Sequence, residues 1–424
     1  MINKEELLHY IWKFRLYSHE DLLTTEGEPV EVIDPGISNS NAGPDFFNAK
    51  IKIGNKLWAG NIEIHRTSGE WKKHRHHTDK AYNSVILHIV ENVNEEIYNE
   101  KGQKIPQLCI SVSEKLRDNA EFLLFSNVNV PCLSSLPTIS NGQMQSWLDA
   151  LAIERLERKT NDIFQHLDRF NNSWDETFYV LLSRNFGFGL NSDEFERLAL
   201  SLPYNYILKH ADNLFQVEAL FFGQAGMLED ETITDDYYIF LRKEYDFLRK
   251  KFTLESLNNV LFKSLRTRPH GFPQLRIAEL AAVVQHSGRL FSTVLETDDY
   301  EQIRLLFRVN TSEYWQTHYT FGKKSRKTPK YLGNNSLDII LINTVVPILF
   351  AYGKKNNMEK YCDRSIRILE SVKPEQNRIV QDFKSAGIIP QNAFDTQALI
   401  QLRKVYCDQR KCLFCRIGHA ILSH

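Results

Sequence analysis

The chain has 424 residues, of which 42% are hydrophobic and 25% are charged, and its formal net charge is -1. This length exceeds what one hydrophobic core usually serves, so two or three domains are expected. The near-neutral balance argues against a protein that coats nucleic acid by bulk electrostatics, although a local basic groove is compatible with it. Six cysteines in such a chain indicate thiols or a metal site rather than a disulfide framework.

Targeting and nucleotide-binding signals are absent from the sequence. We find no apolar run long enough to span a bilayer, and the N-terminal MINKEELLHY lacks the order of a signal peptide. We therefore expect a soluble cytoplasmic protein that is not associated with a membrane. Neither a phosphate-cradling glycine loop nor a GxSxG elbow occurs, which argues against nucleotide-dependent and serine-hydrolase chemistry.

The first elements alternate between helix and strand. Apolar side chains at helical spacing predict a helix over Lys4–Leu16, with Glu5 at the edge of the apolar stripe. Pro29–Asp34 predicts a first strand, and a polar loop then leads to Pro44. For Glu5, a solvated carboxylate in the first turn of a helix is the structural alternative to a role in a site.

A hairpin is predicted next. Phe47–Ile53 alternates between apolar and polar residues, Gly54-Asn55 indicates a tight turn, and Leu57–His65 forms the second strand. Asp45 then lies at the mouth of the first strand, and Glu63 shares a face with the histidine two residues later. The structural alternatives are a turn-capping role for Asp45 and a solvated strand face for Glu63.

These residues resemble the signature of the PD-(D/E)xK, or restriction-endonuclease-like, superfamily. Pro44-Asp45 stands in the place of its Pro-Asp, and Glu63-Ile64-His65 in the place of its acidic-x-Lys. The resemblance implies a mixed sheet and metal-dependent phosphodiester hydrolysis of nucleic acid. It also implies that Asp45 and Glu63 bind magnesium or manganese, with Glu5 as a third acid and His65 in the position of the lysine.

His65 is a departure from the superfamily pattern. A histidine that titrates near neutrality can ligate a metal or accept a proton, so we expect manganese to be preferred to magnesium and activity to rise with pH. The alternative is a catalytically inactive nucleic-acid-binding or scaffold protein that retains the fold. A third hypothesis is another kind of hydrolase with a histidine-rich transition-metal site.

Histidines are dense after the hairpin: His65, His74, His76, His77 and His88. Imidazole suits zinc or manganese, and His74 and His77 would share a face if this segment were helical. Asp79 is suited to cap a turn before a strand over Ser84–Val90. Solvated loop histidines are the alternative, and the basic neighbours Lys72, Lys73 and Arg75 would also suit a phosphate backbone. His88 fits a hydrogen-bonded residue of the core.

The pattern then changes to helices. Ile105–Val112 predicts a strand and Glu114–Phe125 a helix. We therefore predict an α+β or α/β N-terminal domain, restriction-endonuclease-like, over residues 1–126, a linker over 127–141, a helical domain over 142–300 and a helical region over 301–424. Asp338–Tyr352 should be a buried helix. A basic loop in the last region offers four cations to nucleic acid: Lys323, Lys324, Arg326 and Lys327.

The C-terminal tail carries a second candidate metal site. Cys412 and Cys415 form the close pair that soft metals use, and Cys407 and His419 would complete four ligands for zinc. With Cys362 as the fourth ligand, an iron–sulfur cluster is the alternative. Reduced thiols without a metal are the structural alternative.

Longer segments resemble an uncharacterised bacterial family known as a domain of unknown function. The resemblance rests on NAGPDF, WAGNIEIH, YNSVILHIV, GFPQLRIAELA and the terminal cysteines. It spans most of the chain and implies no particular activity.

Overall fold

A mixed sheet of six strands forms the centre of the N-terminal part of the chain. The computed structural model describes residues 4–18, 22–39, 41–259, 262–265, 267–286 and 288–423. The strands are β1 (Val30–Asp34), β2 (Ile37–Ser38), β3 (Phe46–Ile53), β4 (Lys56–Thr67), β5 (Val85–Asn92) and β6 (Gln107–Cys109). The accompanying helices are α1 (Lys4–Lys13), α2 (Glu70–Lys73) and α3 (Glu114–Phe125), with 3-10 turns at His76–Thr78, Lys80–Ser84 and Pro131–Thr138.

The sheet has the order β1-β3-β4-β5-β6, with β2 beside β3. β3 pairs antiparallel with β1 and β4, whereas β5 runs parallel to β4 and β6 parallel to β5. The predicted hairpin is confirmed, and its turn places Gly54 at a φ of 56°, which glycine adopts readily. The last predicted strand, Ile105–Val112, is shorter than expected because only Gln107–Cys109 pairs with β5.

The two faces of β4 have different surroundings because its side chains alternate. Ile62 and Ile64 are fully buried in the main core of the sheet, together with Ile11 and Trp12 of α1. Glu63 and its neighbours of the same parity point the other way. The buried apolar face therefore fixes the register of β4. The same register sets the direction of the polar side chains that alternate with the apolar ones.

Two compact units divide the chain differently from the predicted domains. The sheet unit comprises Met1–Trp147, Asp382–Ile388 and Ile400–His424, and the helical unit comprises Leu148–Gln381 and Ile389–Leu399. The segment 127–141, which the sequence predicts as a linker, carries a 3-10 helix whose Cys132 and Leu136 are buried. The cysteine-rich tail belongs to the sheet unit.

The remaining elements are mostly helical, as predicted. They are α4 (Asn141–Arg169), α5 (Trp174–Phe186), α6 (Ser192–Ser201), α7 (Tyr204–Leu208), α8 (Leu214–Gln224), α9 (Asp236–Phe252), α10 (Pro273–His286), α11 (Leu290–Glu296), α12 (Tyr300–Leu306), α13 (Glu313–Gln316), β7 (His318–Thr320), β8 (Lys323–Lys324), α14 (Asn334–Ile340), α15 (Val346–Asn356), α16 (Glu359–Ser371), α17 (Arg378–Ser385), α18 (Ala393–Gln401) and α19 (Arg416–Leu422). β7 and β8 form a small antiparallel pair.

One helical stretch corrects the expectation that no segment is long enough to cross a membrane. Asn334–Asn356 satisfies that test by length and composition, and 72% of its apolar window is buried within the protein. It includes the buried helix predicted over Asp338–Tyr352, with a π-helical turn at Leu341–Val345. Burial inside the protein accounts for its apolar character without requiring a membrane.

Candidate metal centre

Asp45 and Glu63 lie together at the start of the hairpin. The Asp45 backbone N–H donates to Glu63 Oε2 at 3.2 Å, and the Ile64 backbone N–H donates to Asp45 Oδ2 at 2.9 Å. Each carboxylate is therefore held by the backbone of the other strand. A bulge in β3 between Phe46 and Ala49 follows Asp45, and bulges commonly redirect side chains near sites.

Three histidines cluster beside Glu63, and two of them, His65 and His76, face its Oε1 atom. His65, His74 and His76 each offer one ligand atom, and these atoms lie within 4.8 Å of one another. Glu63 Oε1 is 3.5 Å from His65 Nε2 and 3.2 Å from His76 Nε2, while His74 Nδ1 is 3.1 Å from His65 Nε2. We call Glu63, His65, His74 and His76 the histidine–carboxylate centre.

The backbone at Arg75 explains how His74 and His76 reach the same point. His74 and His76 are two residues apart, and side chains with that spacing diverge on a helix. A continuous helix through this segment would therefore separate the two rings. Arg75 takes the left-handed conformation, with φ 64° and ψ 24°, between the end of α2 and the next 3-10 turn. This conformation costs a non-glycine residue about 1–2 kcal/mol, and here it turns the chain between two centre residues.

Neighbouring rings hold the imidazoles in place. His88 Nε2 is 2.8 Å from His65 Nδ1, so His65 Nε2 is left to face the centre. Tyr82 stacks on His76 with ring centroids 3.8 Å apart, and Trp71 packs edge-on against His76 and His88. A hydrogen bond to the second ring nitrogen is the usual way in which a protein orients a metal-binding histidine.

Helix α1 contributes two further polar groups. Glu5 Oε1 lies 3.9 Å from His65 Nε2, and His9 Nε2 lies 3.3 Å from Asp45 Oδ2. Glu5 is on the helix predicted from the sequence, and the structure brings it beside the predicted Asp45, Glu63 and His65. His9 was not singled out in the sequence, although it follows Glu5 by four residues and so shares its face of the helix.

Burial sets the protonation states of the centre in the absence of a cation. It raises the pKa of Glu63 to about 9, with a further contribution from the charge of Asp45. Burial, together with His88 and other nearby histidines, lowers the pKa of His65 to about 2, and burial also lowers the pKa of His76. The sequence-based expectation that His65 titrates near neutrality differs from this lowered pKa, because the ring is surrounded by protein and other imidazoles.

The donor set fits a divalent transition metal. Four ligand atoms about 2.0–2.2 Å from a tetrahedral ion are about 3.3–3.6 Å apart. The distances from Glu63 Oε1 to the Nε2 atoms of His65 and His76, 3.5 and 3.2 Å, are close to this range. Neutral imidazole nitrogens suit zinc and manganese, whereas magnesium prefers oxygen ligands. The additional histidines therefore favour manganese or zinc over the magnesium implied by the superfamily resemblance.

Other predicted residues lie outside the centre. The sequence predicted that His74 and His77 share a face of a helix. In the structure His76, rather than His77, lies beside His74, because the segment is interrupted at Arg75 and does not continue as a helix. Asp79 caps the turn Lys80–Ser84 as predicted, accepting from the Ala81 N–H at 2.9 Å. His88 is fully buried and hydrogen-bonded, also as predicted.

The predicted basic residues are exposed in two separate units. Lys72, Lys73 and Arg75 are exposed beside the centre, and Lys72 is paired with Glu95. The second basic set belongs to the helical unit, where Lys323 and Lys324 form β8 and Lys327 lies 3.9 Å from Glu313. Arg326 is also exposed in that loop.

The cysteines and the histidine predicted as ligands in the tail have different surroundings. Cys407 and Cys415 are buried, and Cys412 is partly buried. His419 Nδ1 is hydrogen-bonded to the Tyr10 hydroxyl at 2.7 Å. Cys362 belongs to the helical unit, and its thiol lies near the Phe350 carbonyl.

A cleft in the sheet unit adjoins the centre through His9. It has a volume of 590 Å³, and its lining includes Lys13, Phe14, Phe414 and Arg416. Phe14 is 41% exposed and Phe414 is 67% exposed. Exposed aromatic rings among cations are typical of surfaces that bind single-stranded nucleic acid.

A family model described as "Protein of unknown function (DUF2851)" matches residues 5–378. The chain belongs to this family. The match includes every residue of the histidine–carboxylate centre and ends before Cys407. No curated protein and no solved structure matches the chain significantly.

Proposed function

We propose that the protein is a metal-dependent phosphodiester hydrolase that acts on nucleic acid. The observation that carries this proposal is the convergence of three acids, Glu5, Asp45 and Glu63, with three imidazoles near a cleft whose lining includes Lys13 and Arg416. Hydrolysis of a phosphodiester needs an ion to activate water and offset developing negative charge. The donors in this centre are those that a manganese or zinc ion accepts.

The order of the elements supports the restriction-endonuclease-like resemblance. Helix α1 supplies Glu5, the antiparallel pair of β3 and β4 supplies Asp45 and Glu63, and β5 follows parallel to β4. This is the sequence of elements that the resemblance implies. His65 occupies the position of the superfamily's lysine, and its Nε2 faces Glu63.

We assign a separate role to each residue of the site. Glu63 and the three histidines hold the ion, and His88 fixes the orientation of His65. Asp45, which lies beside Glu63 and close to His9, orients water or substrate at the edge of the centre. A bound divalent ion lowers the pKa of water and stabilises charge on the phosphate.

The cleft supports a nucleic-acid substrate. Lys13 and Arg416 can neutralise backbone phosphates, while Phe14 and Phe414 offer surfaces on which unpaired bases stack. A single strand can present both its bases and its phosphates to such a surface. We therefore expect single-stranded substrates to be preferred to duplexes.

The test is a cleavage assay with single-stranded and duplex DNA and RNA in manganese, zinc or magnesium. Wild type should cleave a single strand with manganese or zinc, and Asp45→Asn should not. Phe414→Ala should weaken binding of the single strand. Phe122→Ala is the matched control, because it removes an exposed ring from α3, and it should leave binding unchanged. Tight binding without cleavage under every metal would instead favour the inactive scaffold.

A further inference from the structure

Four of the six cysteines belong to one cluster in the sheet unit. Cys132 lies on the 3-10 helix Pro131–Thr138, and Cys407 ends the π-helical turn Leu402–Cys407. Cys412 is the first residue of the 3-10 turn Cys412–Phe414, and Cys415 follows this turn directly before α19. The helix that carries Cys132 contacts α19, and the turn that begins at Cys412 contacts both α19 and the turn that ends at Cys407. The fold thus brings a cysteine from the N-terminal third of the chain to the three in the tail.

Hydrogen bonds fasten the tail to this part of the unit. Arg410 Nη2 donates to the Ser126 carbonyl at 2.7 Å and to the Val128 carbonyl at 2.6 Å, just before Cys132. The Cys412 thiol lies 3.5 Å from the Leu123 carbonyl. Gly418 is packed against the Cys412 backbone so closely that a Cβ atom would collide with it, so glycine is needed for α19 to approach.

The four thiols influence one another in every pairwise combination. Burial, with the charges of Cys415 and Cys412, raises the pKa of Cys132 to about 12. Burial also raises the pKa of Cys407, with contributions from all three other thiols, and that of Cys412 to about 11, with a contribution from Cys415. Four such thiols can ionise together only if a cation offsets their charge.

Three N–H groups lie near the sulfur atom of Cys415. Burial raises the pKa of the Cys415 thiol, whereas the backbone N–H groups of Gly418 and Ile417 and the Trp147 indole act to lower it. Trp147 is 7% exposed, and its indole nitrogen has no well-aligned acceptor among the residues that the structure describes. Hydrogen bonds from N–H groups to ligand sulfurs are a usual feature of iron–sulfur sites.

The cysteine sulfurs are not as close together as the ligands of a single ion. Thiolates around zinc, each about 2.3 Å from the ion, are about 3.8 Å apart. Among the described residues, only the histidine set brings three ligand atoms within 4.8 Å of one another; the cysteines do not. A four-iron cluster places several atoms between its ligands and therefore holds its thiolates further apart.

We infer that Cys132, Cys407, Cys412 and Cys415 bind a [4Fe–4S] cluster. Cys132 is the fourth ligand that the sequence left undetermined, in place of His419 or Cys362. Assembly from two ferrous ions, two ferric ions, four sulfides and four thiolates is redox-neutral, and each thiol releases its proton on ligation. The site would fix the tail segment that lines the cleft, and its loading does not depend on the proposed hydrolysis.

The experiment is anaerobic reconstitution of the full chain with equal amounts of ferrous and ferric iron and with sulfide. Wild type should bind about four iron and four sulfide per chain and show the broad visible absorption of thiolate-bound iron. Cys132→Ser should lose most of this absorption. Cys362→Ser and Cys109→Ser, which remove the two cysteines outside the cluster, should retain it.

A further measurement separates a lost site from a misfolded variant. Circular dichroism should show that Cys132→Ser keeps its secondary structure. Folded wild type that takes up no sulfide, or that binds about one zinc through these cysteines, would overturn the inference. Retention of the complete cluster by Cys132→Ser would overturn it as well.

Discussion

Both units bury carboxylates, but they surround them differently. In the helical unit, Glu218 accepts hydrogen bonds from Ser312, at 2.9 Å, and Tyr237, and Glu279 accepts from Arg276 at 2.8 Å. In the sheet unit, Glu63 faces two imidazole nitrogens and lies beside a second carboxylate. Burial raises the pKa of all three acids.

Burial of an acid is therefore not what marks the candidate site. Glu218 and Glu279 have donors that complete their hydrogen bonding, so they are explained as parts of the packed interior. Glu63 Oε2 has a donor in the Asp45 backbone N–H, but its Oε1 faces the Nε2 atoms of His65 and His76, an arrangement that a cation would stabilise. If this difference separates structure from function, substitutions at Glu63 and at the buried acids of the helical unit should have different effects.

The largest effect is expected from Glu63→Gln. Loss of the ligand charge should reduce metal-dependent cleavage by on the order of 10²–10⁴-fold, the range found for essential polar groups in catalysis. Glu218→Gln is the matched control, since it makes the same change at a buried acid of the helical unit. Initial rates at saturating manganese should fall only in the first variant; equal losses in both would remove the distinction between the two acids.

A second effect is expected on metal affinity. His76→Ala removes a ligand and should abolish tight binding, while His88→Phe removes the partner of His65 and should weaken binding about 10- to 100-fold. His77→Ala is the neighbouring control. Competition with a chromophoric chelator gives the three affinities, and a loss in His77→Ala as large as that in His76→Ala would refute the assigned ligands.

The third prediction concerns stability without metal. Because the folded protein raises the pKa of Glu63 to about 9, it holds a proton that the unfolded chain loses above about 4.5. The free energy of unfolding of chelated wild type should therefore fall as pH rises from 6.5 to 9, a range above the lowered pKa of His65. Urea titrations should show a smaller fall in Glu63→Gln. Parallel curves would show that Glu63 does not carry the effect.

The smallest effect is expected at Arg75. Arg75→Gly removes the side chain from a left-handed position, so stability should rise by up to about 1 kcal/mol, and the metal affinity should be unchanged. Arg66→Gly, in the extended strand β4, should be destabilising instead. Thermal unfolding compares the two, and a destabilised Arg75→Gly would show that the side chain is needed for packing.

Much of the sheet unit could be predicted because its signals are local. Period-two alternation located β3 and β4, the Gly54 turn joined them, and parity placed Glu63 and His65 on one face. The resemblance added Asp45 and Glu5. The structure contains these elements and brings Glu5, Asp45, Glu63 and His65 together, although the catalytic role of these residues stays a prediction.

The remaining members depend on contacts that periodicity does not encode. His74 and His76 converge through the left-handed turn at Arg75, which a non-glycine residue adopts only when its surroundings require it. Cys132 meets the tail across more than half the chain. Neither relation leaves a repeating pattern in the sequence, so both required the three-dimensional fold.

The most direct measurement is anomalous X-ray diffraction from crystals of the protein loaded with manganese or zinc. We predict an ion about 2.0–2.2 Å from His65 Nε2, His74 Nδ1, His76 Nε2 and Glu63 Oε1. A loaded protein with the ion elsewhere, and with these four side chains bonded only to one another, would contradict it.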